Sequence, residues 1–192
     1  MHRLIAVSLA LLCACLPGAS LPALVGDDAH PVAPPPACVN NKGETVSFES
    51  VEGGRKGLAA GMARRDGEGR PVVMRANYGA APEPFQKFID RHECAHHQTG
   101  DVDMPHPPRN GPEHLMNEAV ADCIAILRLR DEEGFGEAGL KQVSEALAAD
   151  MKGIGFPEIS VSSRLRNIQS CFSRDGNAAQ LIAARLKERG LE

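Results

Sequence analysis

Pro84-Phe85-Gln86-Lys87-Phe88-Ile89-Asp90-Arg91-His92-Glu93-Cys94-Ala95-His96-His97-Gln98 decides how the rest of the chain is read. Phe85, Phe88 and Ile89 recur at the spacing of one helical face, and Gly100 follows the end of the run, so the stretch predicts a helix over 84–98. On such a helix His92 and His96 sit about 40° apart and one turn along, so both imidazoles leave the same face. Two nitrogens at that separation suit one Zn²⁺ ion, and Glu93, about 100° round, reaches a water bound beside them. A shuffled chain of this composition would contain H-E-x-x-H in roughly 2% of cases, so the motif needs support from elsewhere in the sequence.

That support comes from the next helix. Asn110-Gly111-Pro112 reads as a helix start, and the helix should run to about Glu133. Between the two, Gly100–Gly111 carries Pro105, Pro107 and Pro108, a loop that lets the second helix turn back on the first. Glu118 and Asp122 again stand at i and i+4. Glu118 would be a third protein ligand that leaves a fourth position for water. Asp122 would accept the free N–H of a ligand histidine and fix its tautomer. The neighbours Met116, Ala119–Ala121 and Cys123–Leu127 are apolar or small, so two acids among them need a partner.

His92-Glu93-Cys94-Ala95-His96 followed by Asn117-Glu118-Ala119-Val120-Ala121-Asp122 resembles the gluzincin metallopeptidases, and most of all the small minigluzincins. The resemblance covers about residues 70–175 and implies His92, His96 and Glu118 as zinc ligands. It further implies Glu93 as general base, Asp122 behind a ligand histidine, and a substrate-holding edge strand just before the first helix. Val72–Asn77 is the candidate for that strand. The resemblance departs from the integral-membrane and multidomain gluzincins, since neither multiple membrane helices nor large flanking domains are expected from this sequence. The implied activity is zinc-dependent endopeptidase cleavage of a polypeptide, with Glu93 moving the proton.

The group that stabilises the oxyanion stays open at this level. His114 lies one turn before Glu118, Tyr78 ends the presumed edge strand, and Arg164 and Arg166 fall where related small gluzincins place a helper residue. His97 points about 100° away from His96 and is read as a neighbour rather than a ligand. Cys94 lies about 160–200° from both histidines, on the back of the helix, which makes it a poor ligand and a poor nucleophile for a Cys-His enzyme. The remaining cysteines of the folded part are Cys38, Cys123 and Cys171. Four cysteines allow three pairings, of which Cys38–Cys94 with Cys123–Cys171 would staple sheet to helix and helix to helix.

Outward from this core, Val46–Val51, Gly57–Arg65 and Arg70–Tyr78 read as strands, the last two joined by the turn Asp66-Gly67-Glu68-Gly69. Amphipathic segments Glu137–Met151, Val161–Phe172 and Asn177–Arg189 complete a helical half. The expected class is α+β, a small antiparallel sheet against helices, in one domain over 38–192. Residues 1–20 read as a signal peptide, with an apolar run from Leu4 to Leu16, and 21–37 as a Pro-rich linker. Cleavage after Gly18-Ala19-Ser20 would release a periplasmic or secreted protein; a lipobox at Leu12-Cys13-Ala14-Cys15 would instead put a lipid on Cys15 as the one membrane contact. A net charge of −4 gives no footprint for nucleic acid. The alternative function is a non-catalytic, zinc-stabilised envelope binding or scaffold protein.

Overall fold

The computed structural model describes residues 29–53 and 57–191. Among them are three strands, β1 (Ser47–Val51), β2 (Ala60–Arg65) and β3 (Pro71–Ala76), followed by five helices. The helices are α1 (Glu83–Gln98), α2 (Pro112–Glu133), α3 (Glu137–Gly153), α4 (Glu158–Ser173) and α5 (Ala178–Arg189). The class is α+β, as expected. The signal-peptide and lipobox readings fall on residues 1–28, outside the described residues.

The β2–β3 hairpin forms where the turn chemistry places it. Asp66 Oδ1 accepts from the backbone N–H of Glu68 and of Arg70, both at 2.9 Å, and Gly69 takes the left-handed φ of 82° that closes the turn. The expectation of a wholly antiparallel sheet is corrected at β1, which pairs parallel with β3 from Ser47 opposite Val72 to Val51 opposite Ala76. The strand order is β1-β3-β2, so Val72–Asn77 is no edge strand; β3 lies at the centre of the sheet. Its own sequence explains the position. Val72 and Val73 face opposite sides of the sheet and are both 0% exposed, which only a strand covered on both faces achieves. β3 thus fills the slot between β1 and β2, which precede it in the chain. β2 is thereby an edge, antiparallel to β3, and it is the edge that packs against α1.

α2 is the axis of the helical half. Ile124, Ala125, Ile126, Leu127 and Leu129 are all fully buried, because α1, α4 and α5 pack around it. Pro112 opens the helix and Gly134, at φ 68°, ends it. α4 starts earlier than Val161, at Glu158, since Pro157 presets the entering backbone at φ −60°. An Asn177–Gln180 capping box opens α5. Burying each large aliphatic side chain of this core contributes roughly 1.5–3 kcal/mol.

The two disulfides are Cys38–Cys94 and Cys123–Cys171, with Cα–Cα distances of 6.0 and 5.3 Å. They tie the start of the folded chain to the back of α1, and α2 to α4. Residues 29–37, the described part of the Pro-rich segment, also lie against the domain. Ala33 N–H donates to Gln86 Oε1 at 2.8 Å, and Arg75 Nη2 donates to the Ala33 carbonyl at 2.7 Å. Replacing Cys38 and Cys94 together by Ser should lower stability by about 2–5 kcal/mol, read as a fall in the urea midpoint. An unchanged midpoint would show that this staple does not hold the fold.

Candidate metal centre

α1 carries His92 and His96 side by side, and their Nε2 atoms stand 3.1 Å apart. Each ring is held from behind. His92 Nδ1 meets Asp122 Oδ1 at 2.9 Å, and His96 Nδ1 meets Asp101 Oδ2 at 2.7 Å. A carboxylate only accepts, so both Nδ1 atoms carry a proton, and each Nε2, once free of its own proton, turns a lone pair to the same point. Two lone pairs at that distance repel unless a proton or a cation lies between them. Glu118 adds its oxygens at 3.4 Å from His92 Nε2 and 3.5 Å from His96 Nε2. The three donor atoms lie within 4.8 Å of one another, and two imidazoles with one carboxylate are a donor set that fits a divalent cation.

Different elements deliver the groups behind these ligands. α2 brings Glu118 and, one turn on, the fully buried Asp122. α4 brings Arg164, which grips Asp122 with Nε at 2.7 Å and Nη2 at 2.8 Å and passes 3.5 Å from Glu118. Asp101 returns to His96 because Gly100, at φ 76°, reverses the chain just past α1. Arg189, at the end of α5, pairs with Asp101 and donates to the Thr99 carbonyl at 2.7 Å.

The charges are strongly coupled. Burial alone would push both imidazoles down, but the bonds to Asp122 and Glu118 lift His92 to about 9, and those to Asp101 and Glu118 lift His96 to about 10. Glu118 is held well below the usual carboxylate range by the two imidazoles, against its own desolvation. Asp122 is likewise buried and likewise lowered, by Arg164 and His92. The cluster therefore attracts positive charge, as protons or as metal.

The cluster opens into a cleft of about 1220 Å³ between β2, α1, the loop after α1, and the ends of α2, α3 and α4. Glu93 sits on the β2 side. Its Oε2 accepts from Ala63 N–H at 2.7 Å. A Cβ on Gly61 would fall 2.5 Å from Glu93 Cγ and 2.6 Å from Ile89 Cγ2, so only glycine lets the strand come this close.

The other anticipated residues scatter. His114 lines the cleft, and its Nδ1 is buried with no hydrogen-bond partner. Arg164 lines it too, but as the partner of Asp122. Arg166 is exposed and does not line the cleft. Tyr78 is 4% exposed in the core, with Arg75 4.3 Å above its ring, and burial together with the Asp90 carboxylate pushes its hydroxyl pKa up. Tyr78 is thus set apart from the cleft. His97 is no ligand; its Nε2 bonds the Val72 carbonyl at 3.1 Å. Asp101, the Arg189 that pairs with it, Gly61 and the Ala63 backbone went unread in the sequence. The Thr99-Gly100-Asp101 string directly after the helix was the available signal for the first.

Because the folded pKa values of His92 and His96 lie above the unfolded value near 6.5, their protons stabilise the metal-free fold fully below about pH 6.5. That contribution fades as pH rises toward 9–10. A cation needs both Nε2 atoms free of protons, so its contribution must grow over the same range. With free Zn²⁺ buffered at one concentration, the rise in Tm over the chelated protein should be larger at about pH 8.5 than at about pH 6. Equal rises would mean that these imidazoles do not take the ion.

No protein-family model, no curated protein and no solved structure matches this chain, so the functional reading rests on the geometry of the cluster and its cleft.

Proposed function

We propose that this chain is an exported zinc-dependent endopeptidase of the small gluzincin kind. The observation that carries the reading is the pair of facing Nε2 atoms, 3.1 Å apart and joined by Glu118, with the Glu93 carboxylate, held through one oxygen by Ala63 N–H, one residue along the same helix at the wall of an open cleft. His92, His96 and Glu118 would hold the ion. When bound, zinc supplies a Lewis acid that lowers the pKa of water toward about 7 and polarises a carbonyl.

The chain's own groups do the rest. Asp122 and Asp101 keep the Nδ1 protons of His92 and His96 in place, which fixes both tautomers. Arg164 holds Asp122 in turn and is a positioning residue. Glu93 is oriented through Oε2 by Ala63 N–H, which leaves Oε1 to take a proton from the attacking water and pass it to the leaving nitrogen. His114 faces the same cleft with a ring nitrogen to spare, and is the favoured donor to the carbonyl oxygen now that Tyr78 and Arg166 lie elsewhere. β2 presents an open edge along the cleft, so an extended polypeptide can add to it as a strand, the role first expected of Val72–Asn77. Apolar residues stand exposed along the cleft, Ile159 at 76% and Met62 at 58%, as a polypeptide-binding surface requires. Two disulfides agree with an oxidising compartment.

Glu93→Gln separates catalysis from a purely structural metal. The variant should keep one zinc per chain and its fold, and lose hydrolysis of an unfolded protein by about 100-fold or more. Unchanged turnover would sink the peptidase mechanism and leave the zinc-stabilised scaffold reading.

A further inference from the structure

The cleft continues beyond the cluster toward the end of α3. There Ile89, Leu147, Met151, Phe156 and Ile159 form an apolar wall, and a single acid, Asp150, stands in it. Asp150 lies on the last turns of α3 and is half-buried. None of the described cations pairs with it. Lys152, the nearest in sequence, is bound to Glu158 at 3.2 Å. Desolvation, with no opposing charge, raises the Asp150 pKa to about 6, so it is ionised at neutral pH at a cost that nothing within the described chain offsets.

The opposite end of the cleft has the other sign. Arg109 and His106 line it, and Arg109 is exposed. A cationic head is disfavoured beside Arg109, whereas at the α3 end the unpaired Asp150 is the charge it meets. An apolar wall leading to a lone carboxylate matches a side chain with an aliphatic stem and a cationic head. We propose that the α3 end of the cleft is a specificity subsite for a lysine or arginine side chain of the polypeptide substrate, with Asp150 as its counter-charge. The stem lies along Leu147, Met151 and Phe156 while the head meets the carboxylate. The inference rests on the peptidase reading for the nature of the substrate and adds which residue the cleft selects.

Binding tests it without turnover. The zinc-loaded full chain carrying Glu93→Gln is dialysed against a pool of blocked decapeptides with a central Lys, and against the same pool with norleucine there. Norleucine keeps the stem and lacks the charge. Mass spectrometry of the retained peptides should show Lys enriched about tenfold over norleucine. Adding Asp150→Asn should bring that ratio to about one, and Asp150→Lys should turn the preference toward a Glu pool. A ratio near one before any change at Asp150, or an enrichment that survives Asp150→Asn, overturns the subsite. The chain with Glu93 intact separates the two claims. Lys enrichment without hydrolysis keeps the subsite and removes the peptidase reading, whereas hydrolysis with no basic preference does the reverse.

Discussion

Two imidazole lone pairs turned toward one point are unstable by themselves, and much of the fold can be understood as what holds them there. His92 and His96 share a helix face by virtue of spacing alone, but their Nε2 atoms converge only because a carboxylate accepts a hydrogen bond from each Nδ1–H. Those carboxylates come from different places, Asp122 from α2 and Asp101 from the turn after α1. Each is held by an arginine from a further helix, Arg164 of α4 and Arg189 of α5. The arrangement thus couples α1, α2, α4 and α5 through one buried network, with β2 brought to its side at Gly61.

Such a network is expensive to bury. Asp122 is fully buried and His92 nearly so, and ion pairs in that setting return little net stability over their desolvation. The offset comes from elsewhere. The middle of α2 is apolar on all sides, and the two disulfides brace α1 and α2 from the faces away from the cleft. Cys94 and Cys123 sit next to site residues in the sequence yet point to the back of their helices, so rigidity reaches the site without entering its chemistry.

Helical periodicity made His92, His96, Glu118 and Asp122 legible, because residues at i and i+4 share a face whatever the tertiary context. The helices and the hairpin turn were legible for similar local reasons, whereas the cysteine pairing was one of three that the sequence left open. The position of β1 was not legible, since its parallel pairing with β3 is a long-range contact that goes with burial on both faces of Val72 and Val73. The edge strand was misplaced as a consequence. Tyr78 was a candidate for the oxyanion from its place after the presumed edge strand, but the short helical turn Tyr78–Ala80 carries it inward under Arg75. Arg164 was noticed as a candidate helper, and its pairing with Asp122 was not anticipated. A basic residue on a later helix does not reveal from sequence that it will meet Asp122 rather than a substrate, because that meeting depends on how α4 crosses α2.

The central claim is that His92, His96 and Glu118 converge on one divalent cation. X-ray absorption at the zinc edge of the loaded protein tests it most directly. The account predicts a shell of nitrogen and oxygen at about 2.0–2.1 Å, with the outer scattering of two imidazoles and no sulfur. A sulfur shell near about 2.3 Å, or zinc bound without imidazole scattering, would contradict it.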